Sequence, residues 1–409
     1  MKIVIAGAGQ AAASMAAKLR QLGHDGPILI IGDEDASPYQ RPPLSKAYLL
    51  GDMPRERLML RSDDWWAEQD VTLMTGTRVL SIDRTAREIK VEDATGRHRE
   101  SYDALALCLG AEPRCLPAVM GGGKAGVHVV RDLADIDALQ PELVPGRRMV
   151  VIGGGYIGLE AAAVARKLGL EVTVVEAAPR ILGRVASEPM AGLIRRLHTA
   201  HGVEIIEGAA VDSITGDARV EAVALADGCE LPCDIVICGI GVTPRTALAE
   251  AAGLEIANGI AVDAEGRTSD PAIWAAGDCA SFPHGEGRLR LEAVSNAIDM
   301  GEAVAANMLG AGKPYVPKPW FWSDQYDAKL QITGLGNGAD QVVVRGHEAG
   351  AAEPGGASVW SFRDGQLICV EALNDPRGYM VGKRLIDAGR NADPAAVADP
   401  NLDLKALMK

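Results

Sequence analysis

Cysteine is missing from the first 107 residues of this 409-residue chain. The seven that follow, Cys108, Cys115, Cys229, Cys233, Cys238, Cys279 and Cys369, include no C-x-x-C pair. That leaves nothing for dithiol chemistry in the first quarter of the chain, and the odd, scattered set fits a reducing compartment. Cys229 and Cys233 are close in sequence, but Cys229 lies in a turn-like Asp-Gly-Cys-Glu context and Cys233 just precedes a strand, so they are not read as a redox pair. Positive charge is also short. There are 41 Lys and Arg against 55 Asp and Glu, and the net charge of −14 argues against nucleic acid or an anionic membrane as the main partner. No uninterrupted apolar run reaches about 18 residues, so no membrane span is expected. The chain enters an apolar strand pattern at Lys2, which leaves no room there for a signal or transit peptide and makes the cytoplasm the expected location.

What is present is a glycine pattern written twice, 146 residues apart: Gly7-Ala8-Gly9-Gln10-Ala11-Ala12 and Gly153-Gly154-Gly155-Tyr156-Ile157-Gly158. Each follows an apolar run, Lys2 to Ala6 or Met149 to Ile152, and opens an Ala-rich helical stretch. Each is answered by a second apolar strand ending in acid: Ile28 to Ile31 before Asp33 and Glu34, and Val172 to Val175 before Glu176. Strand, glycine turn, helix, strand and carboxylate together make a dinucleotide-binding unit. The first glycine (Gly7, Gly153) allows the tight turn, and the second (Gly9, Gly155) lets backbone N–H groups approach a pyrophosphate at a positive helix end. The third position, Ala12 or Gly158, must be small for the helix to pack on the strand. The carboxylate accepts ribose hydroxyls, with Asp33 preferred over Glu34 in the first unit. Glu176 favours NADH over NADPH, a preference that Arg180, four residues on, could soften.

Between these units lie a Pro-rich segment, Ser37 to Lys46, and a helix near Trp65-Trp66. Turns at Gly110 to Pro113 and Gly239 to Arg245 read as crossings between domains, with strand Asp234 to Cys238 closing the second unit. A strand ending in Gly277-Asp278 precedes a helix expected over roughly 293–309. The tail has short alternating runs at Lys329 to Thr333, Gln341 to Val344 and Ser358 to Phe362, then a helix near 380–388. The expected class is α/β, with two Rossmann-like dinucleotide-binding domains plus a small α+β C-terminal domain. The first domain is discontinuous, 1–112 and 241–315; the second covers 113–240, and the C-terminal domain 316–409.

Together with both fingerprints, Arg41-Pro42-Pro43-Leu44-Ser45-Lys46, Gly153 through Glu160, Ala275-Ala276-Gly277-Asp278 and Pro319-Trp320-Phe321-Trp322-Ser323-Asp324-Gln325 make a specific combination. Over essentially its whole length the chain resembles the FAD-dependent NADH:ferredoxin reductases of bacterial Rieske oxygenase and cytochrome P450 systems, which share a glutathione-reductase-like plan. The resemblance implies that Gly7, Gly9, Ala12 and Asp33 or Glu34 hold FAD, with Asp278 on its ribityl or pyrophosphate side. It places Arg41, Pro43 and Lys46 along the flavin, Val294 at its pyrimidine end and Trp320 as a flat wall beside it. Gly153, Gly155, Tyr156, Ile157, Gly158, Glu176 and Arg180 belong to the NADH site. Lys46 and Glu160 are implied to pair, with the Lys46 cation stabilising reduced flavin.

The implied activity is hydride transfer from NADH to FAD, then single-electron transfer to an acidic [2Fe–2S] ferredoxin. Arg288, Arg290 and Lys329 are candidate docking cations. A thiol-using flavoprotein would need a cysteine early in the chain or a C-x-x-C pair, and neither exists. Alternatives are a thiol-independent NADH oxidase or rubredoxin reductase, and a flavoprotein like apoptosis-inducing factor; a basic surface expected of the last is at odds with the charge of −14.

Overall fold

Four-residue strands with every side chain buried, Ile3–Ala6, Ile28–Ile31 and Ala104–Leu107, set the pattern of the first half. Such uniformly apolar strands suit a parallel sheet covered on both faces. The structure is a computed structural model and describes residues 1–346 and 356–408. The chain divides into two units.

The first unit comprises Met1–Arg41, Pro54–Glu112 and Val242–Pro319. Its parallel sheet runs in the order Ile273–Ala275, Ala104–Leu107, Ile3–Ala6, Ile28–Ile31, Val71–Met74. Strand order reverses at Ile3–Ala6, and in open α/β sheets ligands bind outside the strand ends at that reversal. The helices Gln10–Gln21 and Val294–Met308 pack together on this sheet. They meet at small residues: a Cβ on Gly301 would stand 2.7 Å from the Ala11 carbonyl oxygen. The helix over 293–309 expected from sequence is therefore Val294–Met308, and the Trp-bearing helix is Asp63–Glu68. An antiparallel sheet, Arg78–Asp83, Glu88–Asp93 and Gly96–Ser101, lies between the strands Val71–Met74 and Ala104–Leu107 in sequence. This sheet is not legible in the sequence, because its strands carry mixed charge with few apolar positions.

The second unit comprises Pro42–Met53, Pro113–Gly241 and Trp320–Lys409. Its parallel sheet repeats the first plan, in the order Val203–Glu207, Glu171–Glu176, Arg148–Ile152, Ile235–Cys238, Val127–His128. The helix Tyr156–Lys167 follows the central strand. The C-terminal part is a five-stranded antiparallel sheet in the order Trp320–Gln325, Ala328–Gly334, Gln366–Leu373, Ala357–Arg363, Gln341–Gly346, covered by helix Pro376–Asp387. The three tail strands expected from sequence are present. Two more join them: Gln366–Leu373, and Trp320–Gln325, which the sequence marked as a motif and not as a strand. The class is α/β with two Rossmann-like sheets and an α+β C-terminal domain. No described helix is long and apolar enough to cross a membrane.

Candidate functional site

Each central strand ends in a turn that only glycine can make. Gly7 has φ +104°, and a Cβ there would lie 2.2 Å from the Cys108 carbonyl oxygen. Gly153 has φ +106°, with the Gly239 carbonyl oxygen 2.4 Å from a Cβ. The second glycines differ in kind. Around Gly9 and Gly155 nothing lies within 4 Å of the Cβ position. Both cap their helices without any side-chain hydrogen bond. Free first-turn N–H groups at a positive helix end, with open space before them, fit a pyrophosphate. The third positions pack tightly: Ala12 is fully buried, and a Cβ on Gly158 would lie 2.3 Å from the Gly153 carbonyl oxygen.

The carboxylates behind the turns are held differently. Glu176 accepts from the Gly154 N–H and the Ala178 N–H, each at 2.8 Å, so it braces the second turn at the end of its strand. Arg180 donates to the carbonyls of Gly183 and Ala186, which fixes its guanidinium on its own loop. In the first unit Asp33 is exposed and lies 3.4 Å from Arg245. Glu34 is half-buried and accepts from Arg41 and from the Tyr39 hydroxyl. The organised carboxylate is thus Glu34. Asp278 is half-buried, three residues past strand Ile273–Ala275, where Gly277 brings the backbone close to Ala11. Val294 opens its helix, whose N-cap residue Ala293 has no side-chain cap bond.

The second unit holds a buried charge. Glu160, in the helix behind the second turn, is 2 % exposed. Its Oε2 accepts from Lys46 Nζ at 2.7 Å and Ser45 Oγ at 2.5 Å, and its Oε1 accepts from Ser323 Oγ at 2.6 Å. Burial pushes this carboxyl above the usual carboxylate range, while Lys46 and the two hydroxyls oppose that push. Lys46 also reaches the Pro42 carbonyl at 3.2 Å and keeps 18 % of its side chain exposed. Pro43 lies in the short 3-10 turn Pro42–Ser45 that delivers Ser45 and Lys46 to Glu160. The pairing implied for Lys46 and Glu160 is formed. Ser45 and Ser323 lie inside the sequence motifs without a legible role there, because a hydroxyl becomes informative only beside a buried charge.

The aromatic residues form a second layer in this unit. Trp320 stacks on Trp322 with ring centroids 5.3 Å apart, and Tyr156 stacks on Phe321 at 4.3 Å. The Tyr156 hydroxyl donates to the Val185 carbonyl at 3.3 Å, whereas Ile157 is 45 % exposed at the start of the same helix. The candidate docking cations part company. Lys329 is exposed. Arg290 is not a surface cation as expected: its side chain is 11 % exposed and ion-paired with Glu292 at 2.7 Å. Arg288 is anchored to the carbonyls of Val262 and Ser281. Cys108 and Cys279 are buried with thiols pushed up by burial, Cys279 to about 11, so neither offers a thiolate.

Comparison with known proteins agrees with this geometry. Residues 1–301 match the pyridine nucleotide-disulphide oxidoreductase family and residues 320–408 the reductase C-terminal family. The chain is 42% identical over 408 residues to rhodocoxin reductase of Rhodococcus erythropolis, covering 99% of this chain and 94% of the relative. It is 40% identical to the ferredoxin–NAD(+) reductase component of the anthranilate 1,2-dioxygenase system of Burkholderia cepacia, covering 99% and 98%. Among solved structures, the covalent putidaredoxin reductase–putidaredoxin complex matches with a TM-score of 0.93 at 38% identity, covering 100% of this chain and 98% of that one. The chain belongs to the pyridine nucleotide-disulphide oxidoreductase family, within the ferredoxin reductases that carry the reductase C-terminal domain.

Proposed function

We propose that this protein is an NADH-dependent ferredoxin reductase, with FAD on residues 1–112 and 241–315, NADH on 113–240, and a C-terminal domain from 316 to 409. Its electrons pass to a [2Fe–2S] ferredoxin that feeds a cytochrome P450 or a Rieske oxygenase. The observation that carries this reading is the buried Glu160 paired with Lys46 directly behind a nucleotide turn, in a chain with no cysteine before Cys108 and no C-x-x-C pair. The relatives support the ferredoxin, being named for rhodocoxin, for a dioxygenase system and for a complex with putidaredoxin. When bound, FAD supplies the conversion of a two-electron hydride donor to a one-electron output.

The residues supply placement and charge. The N–H groups opened by Gly9 and Gly155 bind the two pyrophosphates. Asp33 or Glu34 in the first unit and Glu176 in the second take the ribose hydroxyls. Asp278 adds a carboxylate beyond its strand, and the N-terminal end of the helix starting at Val294 adds a positive dipole end. Arg41 and Pro43 lie along the flavin, and Lys46 presents its ammonium there while Glu160 holds it in position. Trp320 supplies an apolar wall that limits access of water and dioxygen. Glu176 disfavours a 2′-phosphate at the ribose, so NADH is preferred, while Arg180, held through Nη2 by Gly183 and Ala186, softens that preference. Arg288 and Lys329, both exposed, are the docking cations for an acidic ferredoxin. All seven thiols are free, five of them buried, as suits the reducing cytoplasm.

The test is an anaerobic NADH titration of the FAD-loaded protein followed by cytochrome c reduction with a panel of [2Fe–2S] ferredoxins. NADH should bleach the flavin stoichiometrically, and at least one ferredoxin should raise cytochrome c reduction several-fold. No stimulation across the panel rejects the ferredoxin assignment.

A further inference from the structure

Behind the Lys46–Glu160 pair runs a line of buried polar side chains that nucleotide binding does not use. Ser323 Oγ lies 2.6 Å from Glu160 Oε1 and 3.0 Å from Gln325 Nε2. Gln325 Oε1 lies 2.7 Å from His198 Nε2, and Tyr326 OH lies 3.4 Å from His198 Nδ1. Ser323 and His198 are wholly buried and Gln325 is 2 % exposed. Polar groups this deep are retained where each finds a partner, and each of these does.

Hydrogen-bond chemistry fixes the direction of the whole line. An ionised carboxylate only accepts, so Ser323 gives its single proton to Glu160. Its lone pair must then be met by the amide nitrogen of Gln325, which turns the amide oxygen toward His198. An amide oxygen only accepts, so the imidazole proton sits on Nε2 and the neutral ring offers Nδ1 to the Tyr326 hydroxyl. Every donor from Tyr326 onward therefore points toward Glu160. Bonds aligned in series in a low-dielectric interior strengthen one another, and the last of them reaches a charge. Burial of His198, whose pKa is pushed down to about 4, keeps the ring neutral as this order requires.

We propose that Gln325 and His198 are positioning residues of the reductase: they hold the Ser323 hydroxyl on Glu160 and so keep its carboxylate in place as the partner of Lys46. The role rests on the reading of Lys46 and Glu160 as the charged pair that serves the flavin. It ties helix Glu188–Ala200, which carries His198, to strand Trp320–Gln325 and through it to the helix of the second nucleotide turn. The groups that face Glu160 are Lys46 and Ser45 from the Pro-rich segment, Ser323 from the strand and Tyr156 from its own helix.

The test follows Glu160 itself, by pH-difference infrared spectroscopy of the FAD-loaded enzyme. The protonated-carboxyl band that Glu160→Gln removes is titrated in each variant. Ser323→Ala should raise the midpoint by about one to two pH units, the worth of one hydrogen bond to a charge. Gln325→Leu should move it the same way by less, and Ser323→Thr, which keeps the hydroxyl, should return it to the parent value. Circular-dichroism melts select folded variants, and two independent positions guard against the loss of one. A midpoint unmoved, or no titration, in both Ser323→Ala and Gln325→Leu overturns the inference. The rate of flavin reduction by NADH in Glu160→Gln separates the two readings. An unchanged rate rejects the role of the pair at the flavin, whatever the infrared titration shows.

Discussion

At the scale of single residues, the glycines of each fingerprint do different work. Gly153 is required by the fold, since its φ of +106° and the Gly239 carbonyl 2.4 Å from a Cβ exclude any side chain. Gly155 has an ordinary extended backbone and nothing around its Cβ position, so it is required by the ligand. Gly153→Ala should therefore lower unfolding free energy by about 2 kcal/mol or more, seen in urea denaturation. Gly155→Val should leave that value within about 1 kcal/mol but weaken NADH binding tenfold or more by fluorescence titration. Equal effects of the two on stability would remove the distinction. Lys46→Gln should slow flavin reduction by NADH on the order of 10²-fold in stopped-flow while FAD is retained, if its ammonium acts on the reduced flavin. The Lys46 motif was legible in sequence; the hold of Arg41 and Tyr39 on Glu34 was not, because only the fold brings these side chains together.

At the scale of elements, short apolar strands and Ala-rich helices made both nucleotide units readable, as periodicity and turn chemistry agreed there. Helix contacts were not readable. Gly301 lies in the middle of a helix, where sequence alone shows only a weak helix former, yet it is the point at which Val294–Met308 meets Ala11. Gly301→Leu should force the two helices apart and cost about 1–3 kcal/mol, with a lowered Tm and faster FAD loss on dialysis. A Tm unchanged by the substitution would show that the crossing tolerates the bulk. The antiparallel strands over 78–101 escaped detection for a related reason. One face of such a sheet is solvated, and Arg78–Asp83 shows no clean alternation of burial.

At the scale of the molecule, the second unit depends on neutral His198 where a helix of the nucleotide domain meets the C-terminal sheet. Its folded-state pKa, about 4, lies below its ordinary value of 6.5. The unfolded chain therefore binds the extra proton between these values, and the contribution of His198 is complete above pH 6.5 and lost as pH falls toward 4. The loss is on the order of 3 kcal/mol. Urea unfolding should show stability falling over this window, with a shallower fall in His198→Gln. Identical slopes in both proteins would place the acid sensitivity elsewhere.

By itself the sequence determined that there are two dinucleotide units, that no early cysteine serves them, and that the chain ends in a small α+β domain. Those conclusions rest on local rules, in which the spacing of glycines, apolar runs and acids within some 35 residues carries the physics. Only the tertiary structure decided which carboxylate is organised, that Arg290 is half-buried and ion-paired with Glu292, and that Ser45, Ser323, Gln325 and His198 converge behind Glu160. These residues are separated by up to 280 positions in the chain, from Ser45 to Gln325. What brings them together is the requirement that every buried polar group find a partner, and that requirement acts on the folded chain rather than along it.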